Sequence, residues 1–315
     1  MREDGMQYND KLNLKKLDQD LITVNKKKKK VQKIGMENWM KGIFLMCAVF
    51  SISSIVFMIY FIFSSGIPFI TEYGVARFLT GTTWAPSNTP GSYGILPMMI
   101  GSILVTGGAT LIGMPIGILT AVFMAAYCPP ALYKNLKAAV NLMAAIPSIL
   151  YGFFALQFIV PFMREVAGGT GMNMMTAMIL LGLMILPTII SLSEAALRAV
   201  PRSYYEGSLA LGATHEKTVL SVMVPAAKSG IISSVILGIG RAIGETMAVI
   251  LIAGNQPIIP DSLFSGVRTL TTNIVLEMAY AQGEHKEALI ATAAVLFLFI
   301  LMINSLFLYV KKKRG

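Results

Sequence analysis

Long apolar stretches separated by short polar ones organise this chain. Six runs of about 20 mostly apolar residues, the length that crosses a bilayer as a helix, lie near 42–65, 94–118, 138–162, 172–192, 229–253 and 288–310. They predict an all-α integral membrane protein with six transmembrane helices. The second run stays apolar to about Tyr127 and contains Pro115. It predicts one helix that kinks at the proline and continues past the lipid boundary. The divisions that follow are a polar tail over 1–34, a first transmembrane helix over 35–66, an external loop over 67–93, a five-helix core over 94–310 and a basic end over 311–315. The 67–93 loop holds Pro68, Trp84, Pro86, Pro90 and several glycines, which predicts a turn-rich segment packed on the outer surface. In the stretch 254–287, Leu270, Ile274, Met278 and Ala281 recur at helical spacing. A helix lying on the outer mouth and a plain loop both fit that pattern.

Composition supports the membrane reading. The chain is 55% hydrophobic and 13% charged, with a mean hydropathy of +0.68; soluble domains carry about 25% charged residues. With the N-terminus inside, 21 of the 26 Lys and Arg residues fall in cytoplasmic segments. That asymmetry orients the bundle with both termini cytoplasmic. The net charge of +10 is therefore mostly topological. Lys26–Lys30 reads as an anchor toward anionic membrane lipid, and no aromatic residues interleave with it to suggest nucleic acid. Cys47 and Cys128 are far apart, and His215 and His285 are the only histidines; neither a disulfide nor a metal cluster is expected. Glycines crowd the spans, among them Gly101, Gly107, Gly108, Gly113, Gly117, Gly230, Gly238, Gly240 and Gly244. They fit close helix packing in lipid or mobility around a central path.

One polar stretch stands out between two apolar runs: EGSLALGATHEKTVLSVMVP, Glu206 to Pro225. The segment Ser203–Leu211 is helical in pattern, and Gly212 can take the left-handed conformation that ends a helix. Thr214 can cap a second helix with Glu216 in its first turn. That helix is expected to run to about Val222 and stop before Pro225. The stretch resembles the coupling loop of ABC importer permeases: Glu-Ala-Ala, three residues, Gly, nine residues, an apolar residue, one residue, Leu-Pro. Glu206, Gly212, Val222 and Pro225 match; Gly207 and Ser208 replace the two alanines, and Val224 replaces the leucine. A literal Glu194-Ala195-Ala196 lies upstream, but Val200 stands where the glycine belongs, so the register at Glu206 is preferred. The resemblance implies that the 203–225 loop, with Glu206, Gly207, Ser208, Gly212, Val222 and Pro225, docks on a separate ATPase. The chain has no phosphate-binding loop of the G-x-x-x-x-G-K-[ST] kind. It is expected not to be an enzyme, and ATP and Mg would be bound by the partner.

A second feature lies inside the fifth run. Arg241 and Glu245 are four residues apart, expected on one helix face. Arg241 follows Lys228 by 13 residues, about 20 Å of helix, which places it near mid-membrane. An arginine there costs at least roughly 2.5–3.5 kcal/mol, so it must face protein or water. Either the two charges neutralise each other and lock the bundle, or Arg241 helps an anion through while Glu245 moderates its grip.

Several blocks together resemble the phosphate ABC transporter permease of the PstC type: GTTWAP at 81–86, YGILPMMIGSILVT at 93–106, AIPSILYGFFAL at 145–156, ALRAVPRSYYEGSLALGAT at 196–214, GRAIGETMAV at 240–249 and VRTLTTNIVLEMA at 267–279. The resemblance covers about 40–310. It implies a type I ABC importer permease (MetI-like) bundle with cytoplasmic coupling helices, in the plasma (inner) membrane of a bacterium or archaeon. It also implies a sister permease of the PstA type, two ATPase subunits of the PstB type and an external phosphate-binding protein of the PstS type. Arg241 and Glu245 match the family's intramembrane charged positions. Other oxyanions such as sulfate or molybdate fit the same architecture. An ATP-independent secondary transporter and a sensor of phosphate status are the rivals from other classes.

Overall fold

The structure, a computed structural model, describes residues 39–314, and of 306–308 and 310–314 the backbone only. The lysine-rich tail lies outside the described residues, as do the side chains of the basic C-terminal end. The chain forms two compact units, divided between Phe61 and Ile62. Among the described residues the first holds only the opening part of helix α1, which spans Trp39–Tyr73. This helix runs past residue 66, so the first stretch assigned to the external loop is helical.

The second unit continues with α2 (Val75–Thr80) and two short antiparallel strands, β1 (Trp84–Ala85) and β2 (Ser92–Tyr93), with Trp84 opposite Tyr93. Phe69, Phe78, Trp84 and Tyr93 are buried together, so this segment is a small aromatic core. Helix α3 (Leu96–Val122) keeps Pro115 in its interior and is extended by a π turn to Tyr127. Next come α4 (Pro130–Ala145), α5 (Ser148–Phe154) and α6 (Val160–Ala167), the last two joined by a second π turn. The third span is thus Ser148–Ala167, not 138–162. Pro147 forces Ile146 into an extended conformation (ψ 127°) and ends α4 there. Helix α7 (Met174–Arg198) opens on an Asn173 cap that accepts from the Thr176 amide at 2.9 Å.

Beyond α7 lie α8 (Arg202–Ala210), α9 (His215–Thr218), a third π turn (Val219–Met223) and the short α10 (Val224–Ala226). Then follow α11 (Lys228–Gly244), α12 (Met247–Ile252), α13 (Leu270–Glu277) and α14 (Glu284–Arg314). Among the described residues five helices are long and apolar enough to cross a membrane, or six if the pair His215–Ala226 and Lys228–Gly244, bent by 67°, is one span. The 229–253 run is not one helix: it breaks at Glu245 and Thr246.

Helices α3 and α7 run side by side in the same direction through the middle. Their approach depends on missing side chains. A Cβ on Gly113 would sit 2.7 Å from the Gly182 carbonyl oxygen, and one on Gly117 would sit 2.8 Å from Ile189 Cγ2. Gly107, Gly240 and Gly244 have nothing within 4 Å, so these three do not serve packing inside this chain. Helix α11 packs antiparallel on α7, with Gly230 at Ala196, Ser234 Oγ 2.6 Å from Ser193 Oγ, and Gly238 against Ile189 and Ile185.

All three π turns share a sequence context. Their last residues are Tyr127, Ile159 and Met223, and a proline follows two positions later, at Pro129, Pro161 and Pro225. A proline lacks the amide that would bond one turn back, and its ring crowds the carbonyl there. At Pro161 and Pro225, where the helix continues, a wider turn relieves both problems without exposing the backbone, an adjustment that apolar surroundings favour; after Tyr127 the helix ends instead, with Cys128 extended (ψ 123°). Pro225 therefore does not stop the helix begun at His215, as expected from its ring alone. The helix passes through it to Ala226.

Candidate functional site

The corner at Gly212 is built from backbone hydrogen bonds. Gly212 has φ +85°. Its amide donates to the Leu209 carbonyl at 2.9 Å and the Ala213 amide donates to the Ser208 carbonyl at 3.2 Å, the two bonds of a Schellman motif. Thr214 then caps α9 by accepting from the Lys217 amide at 3.4 Å. The Glu216 carboxyl is held below its ordinary range by its own backbone amide and by the Thr214 hydroxyl.

Side chains fasten α8 to α9 across this corner. Tyr205 Oη lies 2.9 Å from His215 Nδ1, and Ser208 Oγ lies 2.9 Å from Thr218 Oγ1. Glu206 is exposed and lines a cleft of about 530 Å³ with Arg198, Arg202, Tyr205 and His215. Gly207 has nothing within 4 Å. Val222 is half-buried in the third π turn, while Pro225 is exposed beyond it. Glu206, Ser208 and Gly212 therefore share one small surface, with Val222 and Pro225 on the helix that leaves it. The Tyr127 ring stands 4.9 Å from the His215 ring, so the corner sits at the far end of α3 from the β1–β2 hairpin.

The Arg241 region lies deeper. Gly238 packs at the middle of α7, against Ile185 and Ile189, and Arg241 is one turn further on. Arg241 is half-buried and, among the described residues, forms no hydrogen bond or ion pair. The expected shared helix face with Glu245 does not exist. Glu245 is in extended conformation (φ −70°, ψ 131°) and ends α11. Its carboxylate turns forward to accept from the Ala248 amide at 3.2 Å, at the start of α12. Its carbonyl, freed by the break, accepts from Thr271 Oγ1 of α13 at 3.1 Å. A mutual Arg241–Glu245 lock is therefore not what holds the bundle. Helix α12 rests on α5, where a Cβ at Gly152 would meet Leu251 Cδ1 at 2.7 Å.

Two charged clusters were not anticipated. At the hairpin end, Glu277 accepts from Trp84 Nε1 (2.9 Å), Arg268 Nη1 (2.6 Å) and His285 Nε2 (2.8 Å). At the Gly212 end, Glu194 is 1% exposed. It accepts from Tyr133 Oη (2.6 Å), Lys137 Nζ (2.7 Å) and Arg198 Nε (2.8 Å). Arg198 Nη2 also donates to the Met124 carbonyl at 2.9 Å, and its guanidinium lies 4.5 Å from the Tyr133 ring centroid. The Glu-Ala-Ala at 194–196 was visible in the sequence, but only as a false register.

A bundle of apolar helices with a polar two-helix corner at one end and, among the described residues, an arginine without an ion-pair partner halfway through is consistent with the membrane subunit of a transporter. Comparison with known proteins gives the family: the chain belongs to the binding-protein-dependent transport system inner membrane components, whose profile matches residues 113–314. It is 39% identical over 269 residues to the probable ABC transporter permease protein YqgH of Bacillus subtilis, covering 82% of this chain and 87% of that protein. It is 34% identical over 254 residues to the phosphate transport system permease protein PstC of Haemophilus influenzae, covering 74% and 80%. Among solved structures, an inward-facing MetNI methionine ABC transporter superposes with a TM-score of 0.56 at 20% identity, over 70% of this chain and 96% of that one. A bacterial alginate ABC transporter superposes with a TM-score of 0.59 at 13% identity, over 85% and 94%. The fold is that of type I ABC importer permeases. The chain is a multi-pass membrane protein and an ABC importer permease subunit, of a family whose members work with a second permease, ATPases and a binding protein.

Proposed function

We propose that this chain is the PstC-type subunit that moves inorganic phosphate into the cell, driven by ATP hydrolysed in a partner. The observation that carries the reading is Arg241: a permanent cation halfway along the bundle, half-buried and without an ion-pair partner among the described residues. A guanidinium in that position is suited to a tetrahedral oxyanion, which it can meet with two parallel hydrogen bonds. Glu245 keeps the helix open at this level through its bond to the Ala248 amide, and its charge limits how tightly an anion is held. Similarity to relatives named as PstC supports phosphate as the cargo.

The corner around Gly212 is the contact for the ATPase. Glu206, Gly207, Ser208 and Gly212 present it, and Val222 and Pro225 carry its motion toward α11. The distribution of Lys and Arg supports a cytoplasmic position for this end and for both termini. The assembly contains a PstA-type sister permease, two PstB-type ATPase subunits that bind ATP and Mg, and a PstS-type external binding protein.

The test is uptake of labelled phosphate by the reconstituted assembly, with sulfate and molybdate as competitors. Uptake that needs ATP, resists both competitors and disappears in Arg241→Gln while insertion is retained is the expected result. Arg241→Gln transporting at the wild-type rate would overturn the role given to the arginine. Carriage of a competitor instead of phosphate would overturn the substrate.

A further inference from the structure

Glu194 belongs to neither the Gly212 corner nor the Arg241 region, yet it is the most deeply buried carboxylate that the structure describes, 1% exposed. Burying a carboxylate is costly unless donors and cations surround it. Here Tyr133, Lys137 and Arg198 do so. What they join is informative. Tyr133 and Lys137 lie on α4; Arg198 ends α7, four residues before α8 begins at Arg202, and also lines the cleft beside Glu206. The carboxylate therefore fastens the lower end of α4 to the root of the proposed coupling helices.

The other end of α4 is fastened too. The Met143 carbonyl, in its last turn, accepts from Tyr151 Oη of α5 at 2.8 Å. Tyr151 is buried in one cluster with Ala242 and Ala248, which flank Arg241 and the helix break. Between Tyr133 and Met143, α4 is unbroken helix, about 15 Å of rise. One rigid rod thus has a charged joint next to the coupling corner and a hydrogen-bonded joint next to the Arg241 region.

We propose that α4 transmits movement of the coupling helices to the Arg241 region, with Glu194 as the positioning residue at one joint and Tyr151 at the other. The proposal rests on the importer reading above. A physical path alone does not demonstrate energetic coupling, so the test measures coupling itself: phosphate taken up per ATP hydrolysed by the reconstituted assembly. A defect that merely reduces the number of intact complexes lowers uptake and ATP hydrolysis together and leaves this ratio unchanged.

Three variants and one pair decide it. Tyr133→Phe removes one hydrogen bond from Glu194 and leaves its two cations. Tyr151→Phe removes the bond to Met143. Each is expected to lower the ratio by about two- to fivefold, the scale of one lost hydrogen bond. Glu194→Gln is expected to lower it by about tenfold, because a charge-assisted joint is stronger. The pair Tyr133→Phe/Tyr151→Phe is the discriminating measurement. Sites this far apart with no shared partner ordinarily add, so independent defects would multiply their ratios. A rod already loose at one end loses little more at the other, and the double variant should match the worse single variant. Multiplied losses, or unchanged ratios in both single variants, would overturn the proposal. If Glu194→Gln does not insert, the two tyrosine variants and their pair still decide. Wild-type uptake that needs no ATP would sink the importer reading itself, an outcome visible before any variant is compared.

Discussion

The corner at Gly212 makes two neighbouring glycines behave oppositely. Gly212 sits at φ +85°, and an ideal Cβ there meets nothing within 4 Å. Gly212→Ala therefore introduces no clash; its whole cost is the left-handed backbone, roughly 1–2 kcal/mol for a residue with a Cβ. That energy is local to the Schellman bonds of Gly212 and Ala213. If it opens the corner, the Ala213 amide should exchange with solvent about 5–30 times faster. Asparagine tolerates this conformation better than alanine, so Gly212→Asn should exchange at an intermediate rate. Gly207, inside α8 and also with nothing within 4 Å, should respond with the other sign. Gly207→Ala gains up to about 1 kcal/mol of helix propensity and should slow exchange across α8. Hydrogen exchange followed by mass spectrometry on the purified protein reads all three. Gly212→Ala exchanging at the wild-type rate, or Gly207→Ala loosening the corner, would refute the reasoning. ATP-driven uptake should fall with the loss of the corner.

Other perturbations are expected to act at a distance from this corner. Gly113→Ala forces a methyl to within 2.7 Å of the Gly182 carbonyl oxygen and of Ile185 Cγ1, an overpacking cost of about 1–3 kcal/mol. Gly107→Ala, inside α3, meets nothing and should leave thermal unfolding of the isolated chain unchanged or slightly raised by helix propensity. Glu277→Gln strips the carboxylate from Arg268, His285 and Trp84. Removing one partner of a largely buried pair costs about 3–5 kcal/mol, so its thermal unfolding should fall well below that of Trp84→Phe, which loses one hydrogen bond worth about 1 kcal/mol.

Much of the bundle was legible because lipid-facing helices must be apolar along most of their length. Where reading by hydropathy failed, the chain breaks without losing apolar character. Residues 138–145 are apolar enough to join the next span, but Pro147 turns the backbone and leaves them on α4. The break at Glu245 is harder to see. It requires a new partner for the freed carbonyl, and that partner, Thr271, is 26 residues away. The same distance explains why Arg241 and Glu245 read as a pair: their spacing is helical, but the helix is not there. The Gly212 corner was readable since a left-handed glycine and a threonine cap are local signals. Glu194 was not, because two of its three donors, Tyr133 and Lys137, lie 61 and 57 positions from it.

The π turns have a further consequence, for how this chain tolerates insertion and loss of residues. A π turn holds one residue more than an α turn, so every side chain after it is rotated by about 100° from where an uninterrupted helix would put it. The helix continues past Ala155–Ile159 into α6 and past Val219–Met223 into α10, so at these two turns the extra residue sets which face the following segment presents. Each of these two π turns is thus a place where the count of residues, rather than their identity, sets which side of the helix meets its neighbours. Aligned chains that differ in length by one residue can share this fold if the difference falls inside these turns, whereas the same difference one turn away would swing the following helix onto the wrong face.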